Sequence, residues 1–231
     1  MIILKKNRVD KMKEQVKDFI GGIGTIFLYY LLALIIGLFL GKYYYSSNKI
    51  IASIAQISVY IIILIVMCLI YRKRLINDLK TFKKEYIKVA LKNWIIGLGF
   101  MLISNSIISL IVNNIAANEA LNRTILTKYP ISSFISMVFI GPLLEEITFR
   151  LSFKNAFKKW YTFSLATGLL FGLAHIANFT ILEFLYIIPY GALGFFFAKA
   201  FYETDNIYTS YIAHMTHNLL CIIMILISGV L

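Results

Sequence analysis

Residues 133–153 read SFISMVFIGPLLEEITFRLSF, an apolar run interrupted by Glu145, Glu146 and Arg150. The run is long enough to cross the hydrocarbon of a bilayer, about 30 Å at 1.5 Å per residue. An ionised carboxylate at membrane depth costs about 2.5–3.5 kcal/mol on insertion scales, and groups kept there at that cost usually line a site or a path. Two adjacent acids in one span therefore call for a chemical reason or for a structural partner. Pro142, just ahead of them, removes a helical N–H and predicts a kink at this point.

The rest of the chain supports the membrane reading. Of 231 residues 60% are hydrophobic and only 15% charged, with a mean hydropathy of +0.79. A soluble domain rarely reaches that balance. Further apolar runs lie at 22–40, 50–70, 94–112, 163–179, 181–201 and 207–231. The fold class expected is an all-α, polytopic membrane helical bundle of seven spans, with an eighth if residues 114–130 hold an interfacial or half-membrane helix. The first run lacks a small-residue cleavage pattern and reads as an uncleaved anchor. Residues 1–231 then form a single integral membrane domain, with 1–18 as a basic segment ahead of the first span.

A net charge of +12 raises the question of nucleic acid. The basic residues cluster before the first run, between the second and third, and between Arg150 and Trp160, and are sparse in the alternate loops. That is the positive-inside pattern; it sets the N-terminus in the cytoplasm and, over seven spans, the C-terminus outside. The lipid bilayer is the expected partner of this charge, and nucleic acid is excluded. Cys68 and Cys221 have no CxxC spacing and read as small buried hydrophobes.

Chemically able side chains gather in the later spans. His175, His214 and His217 are the only histidines, joined there by Asn178, Glu183 and Asn218, whereas the first two spans hold little beyond Gln56 and hydroxyl residues and read as lipid-facing scaffold. Residues four apart on a helix lie about 40° apart, and residues five apart about 140°. Glu146 can thus pair with Arg150 while Glu145 faces elsewhere. The alternative is that both acids satisfy Arg150 in a structural cluster. Phe171 and His175 are one turn apart, as are His214 and Asn218. If the fourth and fifth spans form a hairpin turning near Lys159 and Trp160, Glu145 and His175 come level, which requires the fourth span to continue past Arg150. One carboxylate, two imidazoles and an amide could activate water and stabilise an oxyanion. Alternatively, Glu145, His175 and His214 make a two-His, one-carboxylate zinc set. Sequence leaves both arrangements open, zinc or no cofactor, and places no Ser or Cys nucleophile in a motif.

EExxxR (Glu145, Glu146, Arg150), FxxxH (Phe171, His175) and HxxxN (His214, Asn218), in that order, resemble the motifs of the CAAX-protease and bacteriocin-processing intramembrane proteases, the Abi or CPBP family. The resemblance covers residues 130–220. It implies a membrane-embedded cavity in which Glu145 and His175 activate water and His214 and Asn218 stabilise the oxyanion. Glu146, Arg150 and Phe171 would order the site. It also implies an endopeptidase acting on a membrane-associated peptide or protein. The competing readings are a non-enzymatic immunity or scaffold protein of the same fold, and a transporter; no inverted repeat supports the last. His217 falls outside the motifs.

Overall fold

In a computed structural model the backbone is described for residues 2–228 and the side chains for 11–228, and among these residues there is no strand. Met1, the side chains of the first ten residues of the basic segment, and the last three residues of the seventh apolar run lie outside the described residues. Helix α1 runs from Ile2–Tyr44 and α2 from Lys49–Ile70. Asn48 starts α2 as an N-cap, its Oδ1 accepting from the N–H groups of Ile50 and Ile51 at 2.9 and 3.3 Å. Short α3 (Arg72–Lys80) leads to α4 (Glu85–Ile108), and α5 (Ala117–Lys128) to a broken helix. That helix comprises α6 (Pro130–Ile135), a π turn (Ser136–Ile140), α7 (Gly141–Phe149) and a 3-10 turn (Leu151–Phe153). Three helices follow, α8 (Trp160–Ala174), α9 (Ile187–Thr204, preceded by a 3-10 turn at Glu183–Tyr186) and α10 (Ile207–Ser228).

Six of these segments are long and apolar enough to cross a membrane: Lys11–Tyr44, Lys49–Ile70, Glu85–Ile108, Pro130–Phe153, Glu183–Thr204 and Ile207–Ser228. The fifth apolar run is different. Its helix, α8, has 15 residues and stops at Ala174, so it extends about 22 Å, short of the hydrocarbon thickness. The stretch 114–130 holds α5, whose 12 residues are too few to span. Phe27, Leu38, Phe39, Leu110 and Ile181 point outward and are mostly exposed. Outward-facing apolar side chains in that number need hydrocarbon around them. The chain is a polytopic helical bundle and an integral membrane protein.

The hairpin between the fourth and fifth spans does not form as the residue count suggested. Helix α7 stops at Phe149, and residues 150–159 turn without continuing it. Helix α8 instead packs along α9. Glycine is the reason. A Cβ at Gly168 would stand 2.7 Å from the Phe195 nitrogen, and one at Gly172 would stand 2.7 Å from the Ile187 oxygen. Only bare backbones can approach so closely, which is how small residues one turn apart pair helices in lipid. Helix α9 also packs on α4 and α10, while α1 and α2 pair with each other and lean on α7. Between them lies a core that includes Met67, Leu144, Ile147, Phe153, Phe163 and Phe201.

The scaffold reading of α1 and α2 also needs correction. Gln56 is buried and accepts from Ser132 Oγ at 2.6 Å, tying α2 to α6. Tyr29, Tyr30 and Tyr60 face inward, into the cavity described next.

Candidate active site

The broken helix sets the direction of both glutamates. The Gly141 N–H bonds to the Ser136 carbonyl, five residues back, which closes the π turn. Pro142 has no N–H to offer the Met137 carbonyl in the same widened register. Asn218 supplies the missing donor from α10, its Nδ2 donating to Met137 O at 2.8 Å. The proline of one span is thus answered by an amide of another, which fixes α7 against α10.

One glutamate is committed to structure. Glu146 and Arg150 are both fully buried, with Arg150 Nη1 3.2 Å from Glu146 Oε1. Arg150 Nη2 donates to Gly194 O at 3.1 Å, and the guanidinium lies 4.5 Å over the Phe171 ring. His214 Nδ1 donates to Glu146 Oε1 at 2.9 Å. An arginine at this depth is tolerable because a carboxylate, a carbonyl and an aromatic face all meet it.

The other glutamate faces two imidazoles. Glu145 Oε2 is buried, has no hydrogen-bond partner, and lies 3.9 Å from His175 Nε2 and 3.7 Å from His214 Nε2. His175 is the residue at which α8 ends, and its Nδ1 donates to Phe171 O at 2.7 Å. Its ring stacks on Tyr190 with centroids 4.6 Å apart, while that of His214 stacks on Phe197 at 4.8 Å. Because a carbonyl and a carboxylate can only accept, both Nδ1 atoms carry a proton, and each ring turns its Nε2 toward Glu145. The gaps exceed a direct hydrogen bond. They suit one small bridging ligand.

A zinc ion would find the right donor types here. Both ligand rings are oriented through their second nitrogens, as metal-bound histidines usually are. The spacing is slightly wide, since ligands around a tetrahedral zinc with bonds of about 2.0–2.1 Å stand roughly 3.3 Å apart. Among the described residues no group of three or more His, Cys, Asp or Glu closes to metal-holding distance. The trio would have to draw in by a few tenths of an ångström.

Glu145, His175, His214, Phe171 and Asn218 line a single cavity of about 300 Å³. Glu146 and Arg150 sit behind its wall. Glu183 lies elsewhere, its Oε1 accepting from the Ala117 N–H that opens α5, and Asn178 does not line the cavity. His217 does line it, with Nε2 3.5 Å from Cys221 Sγ. Sequence reasoning missed Tyr29, Tyr30 and Tyr60 on one wall and Asn118, Glu119 and Asn122 of α5 on another. The tyrosines had a readable signal: they occur in mid-span, whereas membrane tyrosines favour the interfaces. The α5 helix falls in the stretch 114–130 expected to hold an interfacial or half-membrane helix, but nothing in its sequence marks which of its residues face the cavity.

Residues 127–220 match the family model described as type II CAAX prenyl endopeptidase Rce1-like. That segment runs from the end of α5 to Leu220 and contains every residue of the three motifs. Over that segment the chain is similar to the Rce1-like family. Two relatives agree in different degrees. The "Putative membrane peptidase YdiL" of Bacillus subtilis is 27% identical over 174 residues, 71% of this chain and 68% of the relative. An uncharacterized protein of Mycoplasma capricolum is 28% identical over 200 residues, 78% of this chain. The chain spans just over half, 56%, of that mycoplasma relative. No solved structure matches it. The matched family model describes an endopeptidase, and one of the two relatives carries the name of a putative membrane peptidase.

Proposed function

We propose that the protein is an intramembrane endopeptidase that hydrolyses a peptide bond of a membrane-associated peptide or protein. The observation that carries this reading is the unbonded, buried Glu145 Oε2 facing two imidazole Nε2 atoms at the wall of the cavity. A water molecule held between Glu145 and His175 gives a proton to the Glu145 carboxylate as its oxygen adds to the scissile carbonyl carbon. The carbonyl π electrons move onto oxygen. On collapse the C–N bond breaks, and the Glu145 carboxylic acid returns the proton to the leaving amine. Glu146 and Arg150 hold His214 in place throughout, and Phe171 holds His175 through its carbonyl. If zinc is bound, Glu145, His175 and His214 hold it, and it lowers the pKa of its water toward neutrality.

The site sits in a bacterial plasma membrane with the N-terminus of the chain in the cytoplasm. Three basic regions support that orientation by meeting at one end of the bundle. Lys154 and Arg74 both pair with Asp205, and Phe19 of α1 packs on Phe153 and Phe157.

Purified protein in detergent, offered a membrane-associated peptide, tests the proposal. Wild type should cleave, and Glu145→Ala and His175→Ala should not; cleavage surviving both substitutions would remove the site from the mechanism. A parallel arm strips metal with a chelator. Full activity after stripping selects the metal-free arrangement, and loss restored by added zinc selects the other.

A further inference from the structure

Of the two imidazoles that face Glu145, His175 is the one its own helix holds least. His214 sits inside α10. Helix α8, by contrast, ends on His175, and residues 176–182 continue without a helix. Among the described residues its ring makes one hydrogen bond, from Nδ1 to Phe171 O at 2.7 Å. That bond fixes one corner of the imidazole and leaves its plane free to tilt about the corner. The tilt decides whether Nε2 is turned to Glu145 Oε2, and a reacting group performs only when its orientation is held by its surroundings.

The plane is set from α9. The Tyr190 ring lies face to face with the imidazole, with centroids 4.6 Å apart and planes 23° from parallel. The Phe171 ring meets the same imidazole at 4.3 Å but tilted by 42°. Aromatic rings at such separations attract one another and prefer a definite mutual geometry. Tyr190 is in turn fixed twice. Its ring packs on the cluster of Ile108, Ala116, Ile176 and Tyr186. Its backbone leads into Gly191, whose nitrogen would stand 3.1 Å from a Cβ at Gly172, so Tyr190 rides on the close-packed crossing of α8 and α9. It lines the cavity with His175 and Glu145, and none of the three motifs includes it.

We propose that Tyr190 is a positioning residue, whose ring sets the plane of the His175 imidazole so that Nε2 is turned to Glu145 Oε2, 3.9 Å away. The stacked ring does this, and the hydroxyl is not required. The proposal rests on the peptidase reading, in which Glu145 and His175 hold the attacking water between them.

The test uses the full-length protein in detergent, with Tyr190→Leu, Tyr190→Phe and a control, Phe100→Leu. The control breaks a comparable stack, Phe100 on Phe196 at 5.5 Å and 28°, and Phe100 does not line the cavity. The first readout is cleavage of a membrane-associated peptide. Tyr190→Leu should lose about 100-fold in kcat, the cost of a misplacement near 1 Å, with KM changed less than about threefold. Tyr190→Phe keeps the ring and should stay within about threefold of wild type in kcat, as should the control. The second readout, nitrogen NMR of histidine-labelled protein, needs no turnover. His175 should be protonated at Nδ1 alone in wild type and Tyr190→Phe, and should show a mixture of tautomers in Tyr190→Leu. Tyr190→Met carries the same expectations if the leucine variant does not fold. Wild-type kcat in Tyr190→Leu overturns the proposal. So does a raised KM at constant kcat, because the ring would then bind substrate, and so does a loss of kcat with the His175 tautomer unchanged. Equal losses in Tyr190→Phe and Tyr190→Leu overturn it as well, since the hydroxyl would then be the active part. If wild type never cleaves, the peptidase reading falls and the NMR decides alone: a tautomer mixture confined to the variants without the ring keeps Tyr190 in place as the residue that orients His175, and an unchanged tautomer removes it.

Discussion

Gly172→Ala tests whether the contact between α8 and α9 positions His175, the histidine proposed to activate water. A methyl at this position would stand 2.7 Å from the Ile187 oxygen and 3.1 Å from the Gly191 nitrogen, where ordinary contact begins at 3.4 Å. All of its nearest neighbours are backbone, so no side chain can rotate away. The two helices must part by about 0.7 Å at the crossing, and overpacking of this kind costs about 1–3 kcal/mol. His175 begins three residues later, with its own N–H bonded to Gly172 O at 3.2 Å. It moves with that turn, and a misplacement near 1 Å at a reacting group costs roughly 100-fold. Thermal unfolding in detergent and steady-state cleavage are measured together on Gly172→Ala, Gly168→Ala and Gly24→Ala. The last has nothing within 4 Å of its Cβ and should behave as wild type. Gly168→Ala meets Phe195 N at 2.7 Å and should destabilise equally, but it lies a full turn farther from His175 and should lose less turnover. Equal loss of turnover in the two close-packed variants would refute the reasoning, because stability alone would then explain both. Wild-type behaviour of Gly172→Ala would refute it at the root.

Three other substitutions probe the buried network. Arg150→Met leaves Glu146 buried without its cation and should cost about 3–5 kcal/mol, whereas pairing it with Glu146→Leu should restore most of the stability and none of the activity; unfolding midpoints of the single and double variants decide. Asn218→Ala should cost about 1–3 kcal/mol by stranding the Met137 carbonyl, and clearly less in a Pro142→Ala background, where residue 142 regains an N–H for that carbonyl; a double-mutant cycle on stability with no coupling removes the link between proline and amide. Glu146→Gln can turn its amide N–H toward His214 Nδ1 and so move the ring proton to Nε2; turnover should fall about 100-fold or more, with far less destabilisation than Arg150→Met causes, and proton NMR of the selectively labelled histidine should show the tautomer change. An unchanged His214 tautomer in that variant removes Glu146 from its control.

What could be read from the sequence depended on the kind of signal each feature left. Hydropathy marked every crossing segment because a span is a local property of about twenty residues. Helical angles separated Glu146 from Glu145 for the same reason: both acids and Arg150 lie within two turns of one helix. The hairpin count did bring Glu145 level with His175, which stand 3.9 Å apart, but it reached this by treating 130–175 as two ideal rods, which they are not. The π turn at Ser136–Ile140 and the stop at Phe149 alter the rise, and the Gly168–Gly172 pair redirects α8 toward α9. Those glycines were visible as letters, but their partner helix was not. The inward tyrosines of α1 and α2 were harder still, since nothing local to residues 29 or 60 states that Glu145, more than eighty positions away, stands nearby.

The placement of Arg150 explains why the chain keeps two acids where one would serve chemistry. A single carboxylate beside two histidines would leave both ring tautomers free, and half of the arrangements would aim an N–H at Glu145. Arg150, held by Gly194 O and the Phe171 ring, keeps Glu146 ionised as an acceptor. Glu146 then takes the His214 Nδ1 proton, and the Phe171 carbonyl does the same for His175. Phe171 therefore acts twice, with its ring on the cation and its carbonyl on the imidazole. Both Nε2 atoms are turned to one side, and Glu145 Oε2 faces them without a hydrogen-bond partner among the described residues. The buried charge that made this span improbable as plain lipid-facing helix is what aims its neighbours.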